Sequence, residues 1–202
     1  MGCDIHCYIE YKQKGNSGWS DFGGRINPGR NYWMFGFMAG VRLDDVPHIE
    51  PRGWPKDAAL AAFSDNTIYI MENQVEDYKH EDGSSYYSPK HAAECVAKGY
   101  CEYVIRNERK SWVTNSDHHT HSWLTADEFE LAIAGYLNRC GFAVNVKQLT
   151  APAAMADALL CAEHDEQLTS LRHITEYWPI LVAMRCFEAQ GCESRLVFWF
   201  DN

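Results

Sequence analysis

Cys3-Asp4-Ile5-His6-Cys7-Tyr8-Ile9-Glu10-Tyr11 is the stretch on which the fold turns. Cys3, Ile5, Cys7, Ile9 and Tyr11 fall on one side of a two-residue period, and Asp4, His6, Tyr8 and Glu10 on the other. That period is a half-buried β-strand. Its counterpart closes the chain, where Arg195 to Asp201 is apolar on both faces and is expected in the middle of a sheet.

Working outward, Lys14 to Arg30 holds five glycines with Asn27 and Pro28, so it reads as a loop or long hairpin connection that leaves Arg25 and Arg30 free for a ligand. Asn31 to Val41 is aromatic and apolar, and a short helix and a buried strand fit it equally. Pro47, Pro51, Gly53 and Pro55 break the segment from Arg42 to Asn66, leaving Arg42, Arg52 and Trp54 on irregular backbone. Thr67 to Met71 reads as a strand, Glu81 to Ser88 as a loop, Ser88 to Lys98 as a helix ended by Gly99, and Tyr100 to Arg106 as a strand.

Thr125 and Glu128 have capping-box spacing, and an apolar pattern runs from there to Cys140. Phe142 to Val146 fits a strand. Pro152 to His164 and Leu168 to Ala189 read as helices, the second kinked at Pro179. Strands, mixed elements, helices and a last strand in that order indicate an α+β single domain, residues 1–202, with a mixed, largely antiparallel sheet and C-terminal helices packed on it.

A chain of 202 residues with 46% hydrophobic content suits one core. No apolar run approaches the roughly 20 residues that cross a bilayer, and no signal peptide is evident. Met1-Gly2-Cys3 begins like a myristoylation signal, but His6 occupies the position that favours Ser or Thr. The expected location is the cytoplasm. None of the eight cysteines has CxxC spacing, which fits a reducing compartment. A formal charge of −10 argues against a duplex nucleic-acid surface, because such affinity rests on Lys and Arg neutralising phosphate.

The candidate chemistry lies in Asp117-His118-His119-Thr120-His121, a polar connection before the capped helix. Neutral imidazole with an adjacent carboxylate is a common ligand set for transition ions. In an extended segment His119 and His121 share a face with Asp117, while His118 points away. Asp4 and His6, about 7 Å apart along their strand, offer two more ligands. Asp4, His6, His119 and His121 are therefore the expected metal set, for a divalent ion, zinc or manganese. Such an ion lowers the pKa of bound water to about 7. The bland alternatives are a solvated strand face and an exposed polar loop. Cysteine nucleophile chemistry at Cys3 or Cys7 is disfavoured, since both face away from His6. The chain has no phosphate loop, dinucleotide fingerprint or serine-nucleophile elbow.

Met1 to His6, Met38 to Arg42, Arg52 to Pro55, His121 to Thr125 and Val197 to Asn202 together resemble a family of bacterial and phage proteins, most of them uncharacterised. The resemblance spans the chain, implies a soluble intracellular protein and supplies no activity. A phage setting makes host nucleotides or nucleotide signals a natural target. The expected function is thus a metal-dependent hydrolase, a phosphodiesterase for example, acting on a small phosphorylated or nucleotide ligand. Asp117 or Glu10 serves as base or orients the ligand; Arg42, Arg52 and Trp54 bind it. The alternatives are a protein that sequesters the same ligand and a protein-interaction module; homo-oligomerisation is left open.

Overall fold

The computed structural model describes residues 2–43, 45–79, 85–107, 110–142 and 174–201. In chain order the elements are β1 (Asp4–Lys12), β2 (Ser20–Ile26), α1 (Tyr32–Ala39), α2 (Leu60–Asn66), β3 (Thr67–Ile70), β4 (Tyr78–Lys79), β5 (Ser85–Tyr87), α3 (Pro89–Ala97), β6 (Tyr103–Asn107), β7 (Lys110–Thr114), β8 (His118–Thr125), α4 (Ala126–Arg139), α5 (Trp178–Ala189) and β9 (Glu193–Asp201). The fold is α+β. Among the described residues two open sheets replace the one expected, in the orders β2-β1-β9-β8 and β4-β5-β3-β7-β6. All pairs are antiparallel except β3 with β5.

The two-residue period of β1 sorts its side chains between two cores. Cys3, Ile5, Cys7 and Ile9 join Leu196, Phe198 and Phe200 of β9 under α1, α4 and α5. On the opposite face Tyr8, Val197 and Trp199 pack on Trp54, Ala58, Ala62 and Phe63. The terminal strand lies between β1 and β8, which is why it is apolar on both faces. Removing a fully buried aromatic such as Phe200 from such a layer costs about 3–5 kcal/mol.

Local signals set the helices on the first face. Asn31 caps α1 by accepting the Met34 N–H at 3.1 Å, and Gly40 ends it at φ 67°, which resolves the 31–41 ambiguity in favour of helix. The capping box forms: Thr125 Oγ accepts from the Glu128 N–H at 3.3 Å, and Glu128 accepts from the Thr125 N–H at 2.9 Å.

Four expectations change. The glycine-rich segment contains β2, whose pairing with β1 shifts register between Cys7 and Ile9. Part of the 81–88 loop is strand β5. Pro179 sits in the first turn of α5, where its missing N–H costs nothing, so it opens a helix and does not kink one. The histidine run is strand, not connection, because β8 pairs with β9 from His118 onward. The strand expected at 142–146 and the helix at 152–164 lie, but for Phe142, outside the described residues.

Candidate functional site

A β-bulge decides which histidines meet. His119 pairs with Phe200, but the next partners are Ser122 and Phe198, so Thr120 and His121 together face the single residue Trp199. Thr120 adopts φ 53°, an uncommon conformation for a β-branched residue. The extra residue inverts the alternation, putting His118 and His121 on one face of β8 and His119 on the other. Both facing imidazoles reach the same atom, Asn66 Oδ1, at 3.1 Å from His118 Nδ1 and 3.0 Å from His121 Nε2. An amide oxygen only accepts, so both ring nitrogens carry protons.

His6 completes this floor from β1, opposite Trp199. Its Nε2–H donates to Asp201 Oδ2 at 2.9 Å, and its ring lies 5.5 Å from His118 and 5.7 Å from Trp199, centroid to centroid. The remaining nitrogen, His6 Nδ1, is buried and unpartnered, as are Asn66 Nδ2, Trp54 Nε1 and Trp199 Nε1. Each such group costs about 1–3 kcal/mol unless a ligand or water meets it. Burial, with help from His6 and His121, pushes the His118 imidazole down to about 4, so the ring is neutral at pH 7. His121 Nδ1 lies 3.8 Å from Glu102, and that imidazole holds the Glu102 carboxyl below the usual carboxylate range.

Beside His118 and His121 opens a cavity of about 560 Å³. The turn and bulge from Ser116 to His121 form one wall. His91 and Cys95 of α3, with Lys98, Tyr100 and Glu102 after it, form the other. The volume suits one small ligand. Tyr100, 58% exposed, offers a stacking face, while Lys98 and His91 bring cationic or donor groups.

The expected metal ligands do not share one site. Asp4 is held by a bidentate Arg30, with Nη2 to Oδ2 at 2.8 Å, which keeps its carboxyl below the ordinary range. His119 faces the helical core, with Nε2 4.0 Å from Cys3 Sγ and its ring stacked on Phe200. Of the four, His119 and His121 line the cavity, while Asp4 and His6 do not. Among the described residues no group of three or more His, Cys, Asp or Glu is arranged to hold a metal ion. The i, i+2 rule failed because it assumes a regular strand.

The other candidates scatter. Asp117 lines the cavity from the β7–β8 turn, its N–H donating to Asn115 Oδ1 at 3.1 Å. Glu10 is fully buried, clamped by Arg195 at 2.7 and 2.8 Å and by the Ala59 N–H at 2.7 Å, so it is a structural anion without access to a ligand. Arg52 stacks on Trp123 at 4.3 Å and forks onto Glu128, which explains its place beside the α4 cap. Arg42 lies near the Tyr32 ring at 5.8 Å and beside Cys3, on the helical side. Trp54 packs edge-on against Trp199 and His121 beneath the floor, 7% exposed. Arg25 and Arg30, expected free, contact Asp65 and Asp4. Asn66 had no sequence signal, since a helix-ending Asn looks like any other.

Compared with protein-family models, curated proteins and solved structures, the chain matches none. No helix among the described residues is long and apolar enough to cross a membrane.

Proposed function

We propose that the protein is a hydrolase acting on a small phosphorylated or nucleotide ligand, held in the cavity over His118 and His121. The observation that carries this is the pair of imidazoles fixed by one Asn66 oxygen, backed by the His6–Asp201 hydrogen bond and open to a ligand-sized cavity. His118 donates through Nδ1 and is neutral, so Nε2 is a lone-pair acceptor able to orient a water or hydroxyl. Lys98 supplies positive charge for phosphate, and Tyr100 a face for a base. Because the expected ligands of a metal lie on different faces, proton transfer is assigned to imidazole.

A panel of nucleoside mono- and diphosphates, cyclic nucleotides and p-nitrophenyl phosphate, incubated with the protein in EDTA, tests this. Turnover that is lost in a folded His118→Ala variant is expected; absence of turnover with every compound contradicts it. Sequestration of the same ligand is the second reading, with Lys98 and the exposed Tyr100 lining the cavity as its contacts. A raised melting temperature with the ligand recovered intact identifies that case.

A further inference from the structure

We propose that His91, oriented by Asp77, is the catalytic base of this cavity, an assignment that rests on the hydrolase reading. His91 lies in the first turn of α3 and lines the wall opposite the histidine run. Its Nδ1 meets Asp77 Oδ2, and Asp77 Oδ1 in turn accepts the Ser88 N–H at 3.1 Å. The His91 N–H donates to Ser88 Oγ at 3.2 Å. The ring lies flat on Tyr87, 4.3 Å between centroids and 9° apart, and the Tyr87 hydroxyl reaches Ser116 Oγ at 2.7 Å, next to the histidine run. One tyrosine therefore spans the two walls.

The carboxylate accepts only, so the proton sits on Nδ1 and Nε2 carries the lone pair. Nε2 has no protein partner among the described residues, and the side chain is 40% exposed. The other imidazoles are less suited: His6 Nδ1 is buried, His118 is held too acidic to take a proton from water efficiently at neutral pH, His121 is engaged by Asn66 and Glu102, and His119 by Thr120 and Cys3. In the step, His91 Nε2 takes a proton from water as its oxygen bonds to phosphorus; the P–O bond to the alcohol breaks on the opposite side, the departing oxygen takes a proton from solvent, and Nε2 returns its own to solvent. Water is consumed, and an alcohol and a phosphate form. Asp77 faces the charge that the ring carries in between.

The test compares wild type, His91→Gln and Asp77→Asn on p-nitrophenyl phosphate and the nucleotide panel, with imidazole ¹⁵N NMR of the wild type and Asp77→Asn. Expected are a fall in kcat on the order of 10²–10⁴-fold in His91→Gln with KM little changed, a lower kcat in Asp77→Asn, and an Nδ1–H tautomer at His91 that Asp77→Asn loses. Turnover within twofold of wild type in His91→Gln, or an Nε2–H tautomer in the wild type, overturns the assignment and leaves the hydrolase standing. If His91→Gln does not fold, the tautomer and Asp77→Asn kinetics decide. No turnover by the wild type overturns the hydrolase itself, and the role of His91 with it.

Discussion

Replacing Arg195 with methionine strands the Glu10 carboxylate inside the protein. Glu10 is fully buried and Arg195 is 5% exposed. Two Arg195 nitrogens contact Glu10 Oε2 at 2.7 and 2.8 Å, while Oε1 accepts the Ala59 N–H at 2.7 Å. A third nitrogen holds Asp57 at 2.9 Å, and the guanidinium stacks on Trp19 at 3.9 Å. Removing one partner of a buried pair costs about 3–5 kcal/mol, because the remaining charge has neither water nor counter-ion. Burial already raises the Glu10 carboxyl in the intact protein, despite Arg195, and losing the cation raises it further. With the folded value above the unfolded value of about 4.3, stability is retained below that unfolded value and lost as pH rises through the folded one. The deficit of Arg195→Met is therefore smaller at pH 4.5 than at pH 8. Adding Glu10→Gln removes the stranded charge yet keeps an acceptor for Ala59, and should recover half of the loss or more. Urea unfolding at both pH values, with unchanged m, reads these differences as midpoint shifts. A loss under about 1 kcal/mol at pH 8, or a pH trend of opposite sign, refutes the reasoning. So does a folded Glu10→Gln protein that has lost turnover, since that restores Glu10 to the chemistry.

Two further outcomes follow from the same contacts. Arg52→Ala removes the Glu128 fork, the Trp123 stack and a bond to the Trp123 carbonyl, and should cost about 1–3 kcal/mol in urea unfolding without weakening ligand binding; binding lost at full stability returns Arg52 to the ligand. His118 has a folded value of about 4 against about 6.5 unfolded, so the unfolded chain protonates first and stability is lost as pH falls through that window. Thermal unfolding between pH 7 and 4 should show a shallower slope in His118→Gln than in wild type; equal slopes contradict the burial of His118.

The skeleton was open to sequence reasoning because strands at the two ends of the chain carry their periodicity openly. The alternation of β1 marked it as a strand, the two-faced apolarity of β9 gave its central place, and Thr125 with Glu128 gave the start of α4. The site was only half legible. The histidine run does line a cavity, yet His118 and not His119 shares a face with His121, because one residue at Thr120 opens a bulge that no composition rule announces. Asp4, Glu10 and Arg52 looked like ligand groups because their charges were visible, and the partners that occupy them, Arg30, Arg195 and Glu128, lie 26, 185 and 76 residues away in sequence. Asp77 and His91 were missed for the same reason: they lie fourteen residues apart with β4 and β5 between them, and only the fold brings them to one rim.

The central claim is that the imidazoles of the cavity handle a phosphorylated ligand. Inorganic phosphate, the fragment common to every phosphomonoester, is titrated into ¹⁵N-histidine-labelled protein while the ring resonances of the nine histidines are followed. The account predicts that His91, His118 and His121 shift together and saturate, while His48, hydrogen-bonded to the Val46 carbonyl at 2.9 Å, stays still. Phosphate that leaves His91, His118 and His121 all unmoved, or that moves only histidines outside the cavity, contradicts it.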